Sequence, residues 1–273
     1  ITSLTLLILS LVALYIGAGW LVQGSSALAL KAKISPLVVG LTIVAFGTSA
    51  PELVVSLNAT LSGQGDIAIG NIVGSNIFNI GVILGVSATI CPLQVKKQLL
   101  RIDIPVMLAA TVLFTILFWN GTLGRTEGLF FLTGIIIYTI FSLFYSRKHG
   151  TEGSSQELEE QPKHWAVDTL AIVGGLVVLV FASRLLVDNA VSIAKELGVS
   201  EAVIGLTIVA AGTSMPELAT SIVAAYKRKT DIAIGNIVGS NLFNILTIAG
   251  SCSLIHPIEA KNVNYIDLLV MLG

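Results

Sequence analysis

The chain of 273 residues is too apolar to be a water-soluble domain, because 54% of its residues are hydrophobic and only 11% are charged, against about 25% charged in a typical soluble domain. Its mean hydropathy is +0.90, and its formal net charge of −1 argues against nucleic-acid binding, for which a basic surface is expected. Composition therefore predicts an integral membrane protein with the lipid bilayer as its partner and no nucleic-acid partner.

Apolar stretches long enough to cross about 30 Å of hydrocarbon follow one another along the chain. The first, from Ile1 to Leu21, lacks the basic leading segment and the small-residue cleavage pattern of a signal peptide, so we expect a membrane helix. The predicted spans lie at about 3–23, 37–61, 67–90, 102–119, 127–145, 167–189, 202–226 and 232–254, with a further apolar run that begins near Tyr265.

Two sequence blocks occur twice at a constant spacing. The block Gly47–Glu52 (GTSAPE) returns as Gly212–Glu217 (GTSMPE), and Gly70–Asn79 (GNIVGSNIFN) returns as Gly235–Asn244 (GNIVGSNLFN). Corresponding residues are 165 positions apart (217 − 52 and 244 − 79). The duplication predicts two repeats of five helices, at 1–145 and 166–273, with a polar linker at 146–165. It also predicts one more helix after the last residue, so that the second repeat is truncated.

An odd number of helices per repeat turns the second repeat upside down relative to the first, as in many secondary transporters. Lys and Arg test this topology independently, because cytoplasmic loops carry an excess of them. With the N-terminus outside, the outer loops hold Arg125, Lys195 and Lys261, and Arg184 lies in a helix. The inner loops hold Lys31, Lys33, Lys96, Lys97, Arg101, Arg147, Lys148, Lys163, Lys227, Arg228 and Lys229.

The fold class is therefore predicted to be an all-α polytopic membrane protein of two inverted-topology repeats. The N-terminus is expected outside and the 146–165 linker in the cytoplasm.

Each repeat carries a carboxylate inside an apolar span, Glu52 in the first and Glu217 in the second. A charged group near the bilayer centre costs at least about 2.5–3.5 kcal/mol, so both acids are predicted to be functional. Residues four apart share one face of a helix, which places Thr48 beside Glu52. The same spacing recurs in three further pairs: Thr213 and Glu217, Ser75 and Asn79, and Ser240 and Asn244.

Pro51 and Pro216 are predicted to break their helices locally, because proline removes a backbone hydrogen bond. We expect the carbonyls just upstream, around Ala45 and Ala210, to become available to a ligand. Broken backbone at membrane depth is tolerated where it lines a cavity.

The predicted ligand atoms are all hard oxygens. Ca²⁺ takes about 6–8 such oxygens, and Na⁺, of similar size and half the charge, competes for them. Two carboxylates are neutralised by one Ca²⁺ or by two Na⁺, which predicts alternative occupancy. Zn²⁺ would require nitrogen or sulfur, and all three histidines lie outside the predicted spans, while Cys91 and Cys252 follow no metal-ligand spacing. No cofactor is expected, and no obligate protein partner is implied.

Several motif residues have a purely structural alternative. Asn71 and Asn236 are either interhelical hydrogen-bonding groups or ligands. Ser49 and Ser214 either bond to their own helix or act as ligands, and their position beside the acids favours ligands. Four glycines are predicted to pack helices closely: Gly70, Gly74, Gly235 and Gly239.

The paired blocks resemble those of the cation/Ca²⁺ exchanger superfamily, most of all prokaryotic sodium/calcium exchangers, and the resemblance covers the whole chain. It implies ten helices, with the second, third, seventh and eighth around four cation sites and the first and sixth sliding across them. Glu52 and Glu217 would be the central ligands. Thr48 and Thr213 would join them at the Ca²⁺ site, and Asn79 and Asn244 would line the middle. The flanking Na⁺ sites would be completed by the Ala45 carbonyl, Ser49 and Ser75 and, in the second repeat, by the Ala210 carbonyl, Ser214 and Ser240.

The predicted function is secondary active antiport of Ca²⁺ against Na⁺ by alternating access, without enzymatic activity, in a prokaryotic inner membrane. A Ca²⁺/H⁺ antiporter of the same fold is an alternative, because some relatives have Asp where this chain has Asn244 and proton-coupled branches also favour two acids. A Ca²⁺ channel is a further alternative. An intramembrane hydrolase would need a nucleophile–base pair or a His-Glu-x-x-His motif, and neither occurs.

Overall fold

A computed structural model of the chain is almost entirely helical, and it describes residues 2–149, 164–199, 208, 210–263 and 265–272. Two short strands, β1 (Thr122–Leu123) and β2 (Ile258–Glu259), pair antiparallel. The helices are α1 (Thr2–Ala32), α2 (Pro36–Thr48), α3 (Ala50–Leu61), α4 (Gly65–Ile90), α5 (Leu99–Leu117), α6 (Arg125–His149), α7 (Trp165–Glu196), α8 (Ala210–Gly212), α9 (Met215–Tyr226), α10 (Thr230–Ile255) and α11 (Tyr265–Leu272).

The predicted polytopic helical fold is confirmed. Within the described ranges, six helices are long and apolar enough to cross a membrane, and α2 with α3 forms a seventh candidate that bends by 47°. The span expected at 37–61 is therefore not one continuous helix. The first and sixth spans are longer than predicted, because polar and charged residues that are good helix formers, such as Lys31, continue α1 and α7 past their apolar parts.

Two sequence predictions fall largely outside the described residues. They are the part of the predicted 202–226 span that precedes Ala210 and most of the predicted polar linker at 146–165. Where the linker was expected to begin, α6 continues to His149.

The corresponding helices α1 and α7 pack against each other along their length. Gly17 meets Gly175 and Gly24 meets Asp168, so residue numbers rise along α1 as they fall along α7. The two helices are therefore antiparallel. At the crossing, a Cβ on Gly175 would lie 2.7 Å from the Gly17 carbonyl oxygen and 2.8 Å from Leu21 N, so this close backbone contact depends on glycine.

We expect Gly175→Ala to lower the stability of the protein by about 1–3 kcal/mol, because the new Cβ has to displace the α1 backbone. Gly174→Ala is the matched control, since its Cβ would meet only Trp20, at 3.9 Å, and Ala is favoured over Gly in a helix. Thermal unfolding in detergent measures both variants. A Gly175→Ala melting temperature equal to or above that of Gly174→Ala would contradict this account of the crossing.

Helix α10 lies at the centre of the protein. In its most apolar stretch, 94% of the residues are buried. Its glycines bring it against the backbone of α2. A Cβ on Gly235 would lie 2.6 Å from Leu37 O, and a Cβ on Gly239 would lie 2.6 Å from Leu41 O. The close-packing role predicted for these two glycines is confirmed. For Gly70 and Gly74 the prediction is wrong, because a Cβ there would meet nothing within 4 Å.

Contacts between loops place them in two separate groups. At the start of α4, Asp66 accepts a hydrogen bond from Lys261 N (2.7 Å), and β1 pairs with β2 beside it. In the second group, Lys96 forms an ion pair with Asp231 at the start of α10 (2.5 Å). The alternation of the predicted spans assigns the first group to one membrane face and the second group to the other.

Candidate cation-binding site

Two helix breaks place the acidic residues of the duplicated motif. Helix α2 ends before Ser49 (φ −83°, ψ 8°), and Pro51 lies in the first turn of α3, where its missing N–H is not needed. Helix α9 begins in the same way after Ser214 (φ −86°, ψ 9°). Glu52 and Glu217 thus each lie in the first turn of a helix, where the helix dipole favours negative charge.

The two acids are buried, and each accepts a hydrogen bond from the other repeat. Both are 1% exposed. Ser49 Oγ donates to Glu217 Oε1 (2.6 Å), and Ser214 Oγ donates to Glu52 Oε1 (3.0 Å). The second oxygen of each carboxylate, Oε2, is buried and has no hydrogen-bond partner among the residues described.

The side-chain amides of Asn79 and Asn244 are held by asparagines of the opposite repeat. Asn79 Nδ2 donates to Asn241 Oδ1 (2.9 Å), and Asn244 Nδ2 donates to Asn76 Oδ1 (3.0 Å). Because the nitrogens are bound, the Oδ1 atoms of Asn79 and Asn244 remain as buried acceptors with no donor in the described structure. Asn76 and Asn241 therefore fix the orientation of two predicted ligands.

One serine of the second block, Ser75, lies beside the Ser214–Glu52 pair. Ser214 Oγ, which binds Glu52, also lies 3.4 Å from Ser75 Oγ. Ser240, the counterpart of Ser75 in the second repeat, is fully buried, and its Oγ has no hydrogen-bond partner within the described part of the chain.

The threonines of the motif bind amides across the repeats. Thr48 Oγ1 donates to Asn236 Oδ1 (3.0 Å), and Thr213 Oγ1 donates more weakly to Asn71 Oδ1 (3.5 Å). Both asparagines also donate to a serine of their own repeat, Ser56 or Ser221. The interhelical hydrogen-bonding role, one of two left open for Asn71 and Asn236, is confirmed.

The expectation that Pro51 frees the Ala45 carbonyl is wrong. That oxygen accepts a hydrogen bond from Ser49 N (3.0 Å) and a longer one from Thr48 Oγ1 (3.3 Å). Proline instead removes the donor that would reach the carbonyl four residues back, at Gly47. The continuous helical face expected for Thr48 and Glu52 is also absent, because the helix ends between them.

In the second repeat, the carbonyl that Pro216 deprives of its donor is bound by another helix. Ser183 on α7 donates through Oγ to Gly212 O (2.7 Å). Ala210 lies at the start of α8; its side chain is outside the described structure.

Five buried oxygens of this cluster lack partners within the described ranges: Oε2 of Glu52 and Glu217, Oδ1 of Asn79 and Asn244, and Oγ of Ser240. The π-helical segment that starts at Asn79 packs against α9, and its counterpart in α10 packs against α3. Leaving a buried polar atom unsatisfied costs about 1–3 kcal/mol. Carboxylate and amide oxygens can only accept, so the arrangement is suited to a cation.

Comparison with known proteins identifies the family. The family model described as sodium/calcium exchanger protein matches residues 2–144 and 167–273. The inner membrane protein YrbG of Escherichia coli (strain K12) is 39% identical over 274 residues, covering 98% of this chain and 84% of YrbG. The sodium/calcium exchanger MaX1 of Methanosarcina acetivorans is 31% identical over 296 residues, covering 95% of this chain and 85% of MaX1.

A solved structure of the sodium-calcium exchanger NCX_Mj, soaked with Na⁺ and Sr²⁺, matches with a TM-score of 0.86 and 33% identity, covering 100% of this chain and 87% of that chain. The chain belongs to the sodium/calcium exchanger family. The predicted resemblance is confirmed, and the exchanger family is one of secondary transporters rather than of enzymes.

Some residues that build the candidate site were missed by sequence reasoning. Ser56 and Ser221 are 165 positions apart (221 − 56), so extending the comparison of the two repeats beyond the motif blocks would have found them. Asn76 and Asn241 lie within the duplicated block but received no role. Ser183 left no such signal, because Ala18 occupies the corresponding position.

Proposed function

We propose that this chain is a secondary active antiporter that exchanges Ca²⁺ for Na⁺ across the membrane by alternating access. The observation that carries the proposal is the group of buried acceptor oxygens around two carboxylates contributed by two repeats. Ca²⁺ binds many hard oxygens in flexible geometry. One Ca²⁺ or two Na⁺ neutralise the two acids, so the ions occupy the site alternately.

The proposed ligands follow the two repeats. Glu52 and Glu217 are central and are shared between ions. Ser49 and Ser214 direct their hydrogens to the carboxylates, which leaves their lone pairs for a cation. The remaining proposed ligands are Thr48 and Thr213, Ser75 and Ser240, the side-chain carbonyls of Asn79 and Asn244, and the backbone carbonyls of Ala45 and Ala210.

The chain is proposed to form two inverted repeats, 1–145 and 166–273, around the linker at 146–165. The antiparallel packing of the corresponding helices α1 and α7 supports inversion, as do the reciprocal bonds between repeats. The distribution of Lys and Arg supports an N-terminus outside and a cytoplasmic linker. A prokaryotic inner membrane is supported by the relative described as an inner membrane protein.

Differences between the repeats support alternating access. Helix α1 packs along α9, whereas the corresponding helices α7 and α3, both described, make no comparable contact. Accordingly Thr220 on α9 is 0% exposed, and its counterpart Val55 on α3 is 37% exposed. In the proposed orientation α9 ends at the cytoplasmic face, so the structure is closed on that side. The opposite state requires α7 to take up the contact with α3.

Transport assays in vesicles made from the purified protein test the counter-ion. We expect Ca²⁺ uptake to follow an outward Na⁺ gradient with pH clamped on both sides. Uptake driven only by a pH gradient would instead identify a Ca²⁺/H⁺ antiporter, an alternative that the two-acid site supports. Ca²⁺ flux that continues without any counter-ion would identify a channel and overturn antiport.

A further inference from the structure

A third carboxylate is buried among the helices, away from the cation cluster. Asp103 lies in the π-helical turn that begins α5 and is 0% exposed. Tyr138 OH on α6 donates to its Oδ1 (2.9 Å), and Gln98 Nε2 donates to its Oδ2 (3.3 Å). The corresponding residue of the second repeat is Leu268, which is also buried. The fold therefore accommodates an apolar residue here, and the acid has another purpose.

The surroundings of Asp103 select a proton rather than a metal ion. Each carboxylate oxygen already accepts a hydrogen bond, and Tyr138 and Gln98 present hydrogens to it, not oxygens. Na⁺ and Ca²⁺ need several oxygen ligands, and the two side chains that contact this carboxylate supply none. A proton needs only one lone pair.

Tyr138 is the titratable group that contacts Asp103 from a neighbouring helix. On α10, Asp231 is paired with Lys96. On α11, Asp267 lies near Tyr265, whose ring contacts Trp119 at the opposite end of α5 (centroids 4.7 Å apart). The remaining charged groups of α5 and α6 lie at or near the helix ends: Arg101, Arg125, Glu127, Arg147 and Lys148.

Several polar residues lie between Asp103 and the loops that contain Lys96 and Ser35. Gln98, which binds the carboxylate, is only half-buried. On α6, Ser142 follows Tyr138 by one turn and has a buried Oγ without a partner among the described residues. One turn further, Ser146 Oγ accepts a hydrogen bond from Ser35 N (2.7 Å). Through Gln98, Asp103 is therefore one hydrogen bond away from a half-buried polar side chain on this side of the protein.

A second set of contacts connects Asp103 with the cation cluster. Met107 lies one turn after Asp103 on α5, and its sulfur accepts a hydrogen bond from Asn241 Nδ2 (3.7 Å). Asn241 Oδ1 in turn holds the Asn79 amide (2.9 Å) and so directs the Asn79 oxygen toward the cluster. Movement at the start of α5 thus reaches a proposed ligand through two side chains.

We propose that Asp103 is a proton-binding site, separate from the cation cluster, through which the pH on the side of the Lys96 loop sets the rate of exchange. Proton binding stands independently of the proposed function, whereas control of the exchange rate rests on it. Two measurements therefore test the two parts.

Infrared difference spectra of the full purified chain, recorded between about pH 4 and 9, test proton binding. We expect a band of a protonated carboxyl group that Asp103→Asn and Asp103→Leu remove. The matched control Glu259→Gln, which changes an exposed acid on β2, should keep the band. Asp103→Leu introduces the residue that the second repeat has at this position, Leu268. It serves as a second variant in case Asp103→Asn fails to fold. Identical spectra for wild type and both Asp103 variants would overturn the site.

Exchange rates in vesicles at a fixed Na⁺ gradient test control of transport. The wild-type rate should titrate with pH on the Lys96 side, and the Asp103→Asn rate should lose this response. Tyr138→Phe should change the pH profile, because the carboxylate loses a hydrogen bond that its charged form accepts. Equal pH profiles for wild type and Asp103→Asn would overturn the control of exchange. A wild type without Na⁺-driven Ca²⁺ uptake would instead refute the proposed function, and the infrared result would still decide the site.

Discussion

Replacing Glu52 or Glu217 by Gln is expected to abolish Ca²⁺ exchange. Each carboxylate is buried and would supply one of the two charges that face a divalent cation in the proposed site. Removing one partner from a buried set of opposite charges costs about 3–5 kcal/mol, which corresponds to a loss of roughly 10² to 4 × 10³-fold in affinity. Because each acid receives a serine from the opposite repeat, the two variants should lose similar amounts of activity.

Radioactive Ca²⁺ uptake into vesicles and Ca²⁺ binding in detergent measure this loss. Glu259→Gln removes an equal charge from an exposed position on β2 and should retain wild-type transport. Thermal unfolding separates loss of the site from loss of the fold. Transport at the wild-type rate in both Glu52→Gln and Glu217→Gln would refute the assignment of the site.

The Gly239→Ala variant is expected to lose both stability and transport. Its Cβ would lie 2.6 Å from Leu41 O, 2.7 Å from Leu41 Cα and 2.7 Å from Ala45 Cβ. None of these atoms belongs to a flexible side-chain end, so α2 itself has to move. We expect a cost of about 3 kcal/mol, and α2 carries Thr48 into the site.

The matched control for Gly239→Ala is Gly134→Ala on α6, where a Cβ would make an ordinary contact with Leu246 at 3.7 Å. Thermal unfolding and Ca²⁺ uptake should separate the two variants clearly. If Gly239→Ala unfolded at the temperature of Gly134→Ala and transported normally, the close contact of α10 with α2 would not position the site.

The fold was predictable from the sequence because a chain that crosses lipid has to satisfy its backbone hydrogen bonds internally, which favours helices. Apolar length defines the spans, and the 165-residue repeat relates one half to the other. The ends of α1 and α7 were not predictable from hydropathy, since Lys31 and Glu196 lie in helical turns beyond the apolar stretch. The break at Ser49 was expected only in part. The sequence does not show whether Pro51 lies in the interior of a bent helix or in the first turn of a new one.

The candidate ligands were predictable because polar residues are rare in an apolar chain and these occur twice. Their contacts were not predictable. Local spacing pairs Thr48 with Glu52, whereas the structure pairs Thr48 with Asn236 and Glu52 with Ser214. Only the three-dimensional crossing of the two repeats decides which side chains meet.

The bond from Ser183 to Gly212 has no counterpart in the first repeat, where Ala18 takes the place of the serine. A duplicated protein with identical halves would spend equal time in its two mirror-related conformations. A single buried hydrogen bond is worth about 1 kcal/mol, which corresponds to roughly a fivefold preference. In the proposed cycle, a hydrogen bond that forms in only one of the two conformations would make that conformation the resting state of the protein, and one hydroxyl group on α7 would be enough to do so.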